Sequence, residues 1–241
     1  MPDDCRQEYC ISMKVIELKE TITASNDRDA EVLRESLRQQ GTLLINLMAS
    51  PGAGKTTMLD RTIRDLGGAY RIGVMEADID SDVDAVKLAA LGVTAVQAHT
   101  DGMCHMDAGM TRTALEELAA EGGHDLVFLE NVGNLICPAE YDTGAHLKIM
   151  LLSVPEGDDK PLKYPLMFKV SDWMLINKTD TAPAFDFDFA RCEKNVRALN
   201  PDMKIFRLSA KTGEGVGAFT DALAEKISAA LREKRGEAQN A

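Results

Sequence analysis

Lys55 and Thr56 close the run Ala49-Ser50-Pro51-Gly52-Ala53-Gly54-Lys55-Thr56, whose residue types and order suit the phosphates of a nucleotide. Gly52 and Gly54, with Ala53 between them, let the backbone turn so that successive amides converge on anionic oxygens. The helix expected next presents its positive N-terminal end to the same charge. In this P-loop Lys55 reaches the β and γ phosphates, Thr56 offers its hydroxyl to Mg2+, and Thr57 adds a contact at the helix start. Ala49 stands where the usual pattern begins with glycine, a departure that is tolerable if that position needs no positive φ.

A second string names the base. In Asn177-Lys178-Thr179-Asp180 the Asp180 carboxylate can accept from both N1–H and the exocyclic amine of guanine, a bidentate charge-assisted pair that adenine cannot offer. About thirty residues on, Ser209-Ala210-Lys211 brings a backbone amide within reach of guanine O6. Together they favour GTP and GDP over ATP, and so argue against an ATP-dependent ligase.

Acidic residues supply the rest of the phosphate chemistry. Glu130 ends the apolar run that starts at Asp125, the Walker B position, and Gly133 follows three residues later, where an amide can sense the γ phosphate. Asp78 ends the run from Arg71 and is expected to join Thr56 at Mg2+, whereas Asp80 and Asp82 read as capping or solvated residues. Catalysis is therefore assigned to Lys55, Thr56, Asp78 and Glu130. No residue matches a glutamine that orients water, so intrinsic hydrolysis is expected to be slow.

Cys104-His105 offers a different chemistry. A thiolate and an imidazole suit Ni2+ or Zn2+, but adjacent residues on a helix diverge by about 100°, so both reach one ion only near a frayed first turn. Cys137 is the natural third ligand, and it stands four residues after Gly133, so a loop that moves when the γ phosphate leaves would carry it along. Further ligands must come from elsewhere or from a second subunit. His99, His124, His146 and Cys192 read as structural, and Cys5 and Cys10 as incidental thiols. The segment from Pro155 to Pro165 reads equally well as a solvated connector or as a mobile switch or nucleotide-contacting segment.

The elements that must position these residues alternate between strand and helix. Strands are predicted at Leu43–Met48, Arg71–Ala77, Val93–Gln97, Asp125–Glu130, His146–Val154, Trp173–Asn177 and Lys204–Leu208. Helices are predicted from Ser25 to Gly41, through the P-loop helix, through Ala85 to Leu91, and at Cys104–Ala120, Phe187–Leu199 and Ala218–Leu231. The fold class is α/β, a doubly wound, mostly parallel sheet in three layers with an N-terminal helical extension, its ligands beyond the carboxyl ends of the strands. The predicted organisation is an extension over 1–41 with an amphipathic helix, a GTPase domain with embedded metal site over 42–234, and a flexible tail over 235–241.

A chain of 241 residues supports one large α/β domain, and its net charge of −12 argues against nucleic acid or an anionic membrane as partner. Five scattered cysteines do not read as a disulfide framework, and no run approaches the length of a membrane span. A cytoplasmic location is expected.

The strings Ser50–Thr56, Cys104–Ala108, Glu130–Pro138, Glu156–Pro165 and Asn177–Asp180 together resemble the HypB family of nickel-insertion GTPases of nickel–iron hydrogenase maturation. The resemblance runs from about residue 25 to 230. It implies a SIMIBI-class GTPase that forms a homodimer with GTP and binds Ni2+ or Zn2+ at Cys104, His105 and Cys137 near the dimer interface. It also implies a HypA-type metallochaperone and the hydrogenase large-subunit precursor as partners. The related urease-type GTPases carry Cys-Pro-His, whereas Cys137-Pro138 is followed here by Ala139, which favours the hydrogenase branch. A metal-binding scaffold with a structural nucleotide is the alternative of another class. The N-terminal CxxCGC site and the His-rich tract of some members are not matched by Cys5, Cys10 and four histidines.

Overall fold

The computed structural model describes the backbone of residues 18–78, 88 and 90–240, with side chains for 23–77, 88 and 90–234. Seven strands form one sheet: β1 (Leu43–Ala49), β2 (Ile72–Asp78), β3 (Thr94–His99), β4 (Leu126–Glu130), β5 (Leu147–Ser153), β6 (Trp173–Asn177) and β7 (Lys204–Arg207). Their order is β3-β2-β4-β1-β5-β6-β7, and every pairing is parallel. Because all strands run one way, all carboxyl ends lie on one edge, and the loops leaving β1, β2, β4, β6 and β7 share it.

β1 is the pivot. Hydrogen-bonded to β4 and β5 and covered on both faces, it buries all seven residues, which is why Leu43-Leu44-Ile45 reads as a continuous apolar run without alternation. Leu43, Ile45 and Leu47 face α2 (Lys55–Leu66), which buries Met58, Leu59, Thr62, Ile63 and Leu66 at helical spacing. The C-terminal helix Val216–Asn240 packs on that same face through Val216, Phe219, Leu223 and Ile227. Leu44 faces the other side, where α1 (Leu18–Gln40) and α3 (Ala108–Ala120) close a second core with Leu33, Leu37 and Leu118. Further along that side, Met167, Phe168, Cys192 and Val196 pack on β5 and β6.

Several boundaries differ from the sequence reading. The N-terminal helix already spans Leu18–Gln40 among the described residues, so Ser25 lies inside it and caps nothing, since neither Gly nor Pro interrupts 18–40. The last helix runs on through Asn240, over residues that were assigned to a tail. Cys5, Cys10, Asp80 and Asp82 lie outside the described residues, as does most of the helix expected from Ala85 to Leu91, although Leu88 is buried. The segment from Pro155 to Pro165 keeps an exposed side at Leu162 and Lys163 but is more ordered than a plain connector. It folds into short turns in which Asp158, 4% exposed, accepts from Asp188 N at 2.8 Å and from the Arg191 guanidinium at 2.6–3.0 Å.

Candidate functional site

The chain leaves β1 at Ala49 and turns on two left-handed glycines, Gly52 at φ 74° and Gly54 at φ 102°. Gly54 is also the N-cap of α2, so a twelve-residue helix aims its free amides at the turn. Ala49 itself is the last residue of an extended strand and fully buried, so nothing there requires glycine. Thr56 Oγ1 donates to Glu130 Oε1 at 3.1 Å, and Lys55 Nζ lies 4.0 Å from the same oxygen. A hydroxyl and a buried carboxylate side by side are the hard oxygen donors that Mg2+ prefers, so the residues fit that ion. Gly133 passes close enough that a Cβ there would stand 3.0–3.1 Å from Pro51, which ties it to the phosphate turn. Asp78 ends β2 on the same edge, while its side chain lies outside the described residues.

The guanine strings meet around the same turn. Asn177 closes β6, donates through Nδ2 to Ala53 O at 3.0 Å and accepts from Ala210 N at 3.0 Å, so it staples the phosphate loop to the Ser209-Ala210-Lys211 loop. The Ala210 amide is therefore engaged by Asn177. Lys178 adopts the left-handed conformation, φ 61°, and its ammonium donates to Gly52 O at 2.6 Å. Ser209, fully buried, donates through Oγ to Asp180 Oδ1 at 2.6 Å, which leaves the exposed carboxylate of Asp180 held from one side and open on the other.

Cys104 and His105 do not open a helix. They sit in the bend before α3, whose N-cap is Asp107, accepting from Met110 N at 2.8 Å. Freed from helical geometry, the adjacent side chains turn to one point: the ligand atoms of Cys104, His105 and Cys137 all lie within 4.8 Å of one another. Two ligands each about 2.0–2.3 Å from one ion are at most about 4.6 Å apart, so a small closure of this cluster would let all three reach one ion. The Cys104 thiol beside it, then burial, push the Cys137 thiol up, and burial holds His105 below its ordinary value, so no positive charge is favoured there. Two soft thiolates and a neutral imidazole suit Ni2+ or Zn2+.

Asn131 joins the two centres, and no motif had singled it out. In β4, Leu126, Phe128 and Glu130 face α2, whereas Val127 and Leu129 face the second core with Met106. Alternation sends the next residue, Asn131, to that second side, where it accepts from Met106 N at 3.3 Å and donates to Asn46 at 3.1 Å. Glu130 thus touches Thr56 while its neighbour holds the residue after His105. Asn134 adds a link, donating to Cys104 O at 3.4 Å and accepting from Ile136 N at 2.9 Å. The period of two along β4 was the signal available for Asn131.

Of the remaining candidates, His146 accepts at Nδ1 from Leu44 N and donates from Nε2 to Arg34 O, both at 3.1 Å, and Cys192 is a buried core thiol raised to about 12 by burial. Among the described residues no helix is long and apolar enough to cross a membrane.

Residues 43–207 match the family described as CobW/HypB/UreG, nucleotide-binding domain. The hydrogenase maturation factor HypB of Azotobacter chroococcum is 44% identical over 220 residues, which span 91% of this chain and 72% of that protein. The hydrogenase/urease maturation factor HypB of Helicobacter hepaticus is 41% identical over 221 residues, 90% of each chain. A crystal structure of HypB from Helicobacter pylori in complex with nickel superposes with a TM-score of 0.80 at 39% identity, covering 85% of this chain and 95% of that one.

Proposed function

The chain belongs to the CobW/HypB/UreG family, among its HypB hydrogenase maturation factors, and from that membership we propose that it is a GTP-hydrolysing nickel metallochaperone. GTP binding and hydrolysis govern its dimerisation and the delivery of Ni2+ to a hydrogenase large-subunit precursor, with a HypA-type protein as helper. The observation that carries this reading is the pair Glu130 and Asn131. Consecutive residues of one strand end, they contact Thr56 on one side of the sheet and the backbone beside His105 on the other.

In this reading the amides of Gly52, Ala53, Gly54, Lys55, Thr56 and Thr57 wrap the phosphates, and Lys55 neutralises the β and γ oxygens. Mg2+, when bound, supplies further charge neutralisation there, with Thr56, Glu130 and Asp78 as its neighbours. Asn177 and Lys178 fix the loops around the base, Asp180 selects guanine, and Ser209, Ala210 and Lys211 form the wall opposite it. Gly133, packed on Pro51, reads the γ phosphate, and Cys104, His105 and Cys137 hold Ni2+ or Zn2+. With no glutamine in the sequence that matches a water-orienting one, turnover is slow in this reading, and the bound nucleotide acts as a timer. The Helicobacter hepaticus relative, a hydrogenase/urease factor by name, favours urease-type nickel insertion as a second reading.

The test is Ni2+ affinity measured with GDP and with a non-hydrolysable GTP analogue. The two nucleotides should give different affinities in the natural protein. Cys104→Ala and Cys137→Ala should bind both nucleotides normally yet lose the difference. If both variants keep it, the metal half of the reading is wrong.

A further inference from the structure

Metal-binding histidines are ordinarily oriented by a hydrogen bond from the ring nitrogen that does not face the ion. His105 has no such bond: its Nε2 is buried without a hydrogen-bond partner. What fixes the ring is Tyr141, stacked on it with centroids 3.9 Å apart and planes 15° from parallel. Tyr141 comes directly after the short helix α4 (Cys137–Glu140), four residues from Cys137, so the turn that supplies one ligand also supplies the surface that orients another.

A second contact closes the arrangement from α1. Asn26, 7% exposed, donates through Nδ2 to Asp142 O at 2.9 Å and accepts at Oδ1 from Ala108 N at 2.9 Å. Asp142 is the residue after Tyr141, and Ala108 stands three residues after His105. One buried amide therefore ties the segment carrying Cys137 to the segment carrying Cys104 and His105. Arg34, two turns along α1, reinforces it by donating to the Asp142 carboxylate at 2.7 Å.

We propose that Asn26 and Tyr141 form a clasp that holds the three ligand atoms close to metal-binding spacing before an ion arrives. Both are positioning residues that touch no metal, and the inference rests on the reading of Cys104, His105 and Cys137 as ligands. Without the stack the imidazole keeps only the 4.0 Å contact of its Nδ1 with Cys104 Sγ and loses the surface that sets its plane, and without Asn26 the two segments separate. Each loss adds an ordering cost to metal binding.

The experiment titrates the full chain with Ni2+, following thiolate-to-nickel charge-transfer absorption, and measures GDP affinity in parallel. Tyr141→Ala and Asn26→Ala should each weaken Ni2+ binding by about tenfold or more, and Tyr141→Phe, which keeps the ring, by less than about twofold. GDP affinity should stay at the natural value throughout. Cys137→Ala serves as the reference for loss of a true ligand. If Tyr141→Ala and Asn26→Ala bind Ni2+ normally while Cys137→Ala does not, the clasp is overturned and the metal site stands. Normal binding by Cys137→Ala as well would remove both. Should Asn26→Ala fail to bind GDP and so prove misfolded, the two Tyr141 variants decide: equal Ni2+ affinities overturn the clasp, and loss in Ala alone supports it.

Discussion

His146 illustrates how a residue that reads as incidental can be tied into the fold. Its Nδ1 accepts from Leu44 N, which places the ring proton on Nε2, where it is donated to the Arg34 carbonyl. Protonation would put a second hydrogen against the Leu44 amide, and burial opposes the charge, holding the group below its ordinary 6.5. A base whose folded value is depressed binds fewer protons folded than unfolded, so its contribution to stability is complete above about 6.5 and falls as the pH drops through the depressed value. Burial pushes His105 and His124 in the same direction, so they share this sign. The urea midpoint should accordingly be lower at pH 5.5 than at pH 7.5. His146→Gln should flatten that difference in part, and a variant as pH-sensitive as the natural protein would show that His146 does not contribute.

At the scale of elements, what was legible depended on how local each determinant is. The strand Trp173–Asn177 matched to the residue because it is five buried residues bounded by Asp172 and the turn at Lys178. The start of α3 was missed by four residues, since Cys104 carries no signal of its own and the Asp107 cap was the cue that outranked it. The α1 boundary failed differently: Ser25, Asp27 and Asp29 mimic an N-cap cluster within a helix whose sequence never breaks. Local strings point to the residues of the P-loop and guanine motifs, and strand alternation points to the side that Asn131 faces, whereas Asn26 and Tyr141 act through contacts distant in sequence that no local pattern specifies. Gly144 belongs to this second group. Its φ is 77°, and a Cβ would meet Leu33 Cδ2 at 2.9 Å and Ala30 O at 3.1 Å, so α1 lies against a backbone that only glycine leaves open. Gly144→Ala should destabilise the fold by about 2 kcal/mol in urea unfolding. An effect near zero would mean that α1 shifts freely and is no firm support for the turn it covers.

At the scale of the whole molecule, the proposed function makes the parallel sheet the link between two separate chemistries. Every strand delivers its carboxyl end to a common edge, yet side-chain alternation sends Glu130 to the face of α2 and Asn131 to the face of α1 and α3. Linkage is reciprocal: if a GTP analogue changes Ni2+ affinity by some factor relative to GDP, Ni2+ must change the preference for the analogue over GDP by the same factor. Both can be measured by titration on one preparation, and unequal factors would reveal a further equilibrium such as subunit association. Asn131→Ala removes the acceptor for Met106 N and the donor to Asn46, while leaving Lys55, Thr56, Glu130 and the three proposed metal ligands in place. Each ligand alone should then bind within about threefold of the natural affinity, and a coupling of the usual 1–3 kcal/mol should shrink towards zero in both directions. Retention of the full factor in Asn131→Ala would move the connection to Gly133 and Asn134, the other route from the phosphate turn to Cys104 and Cys137.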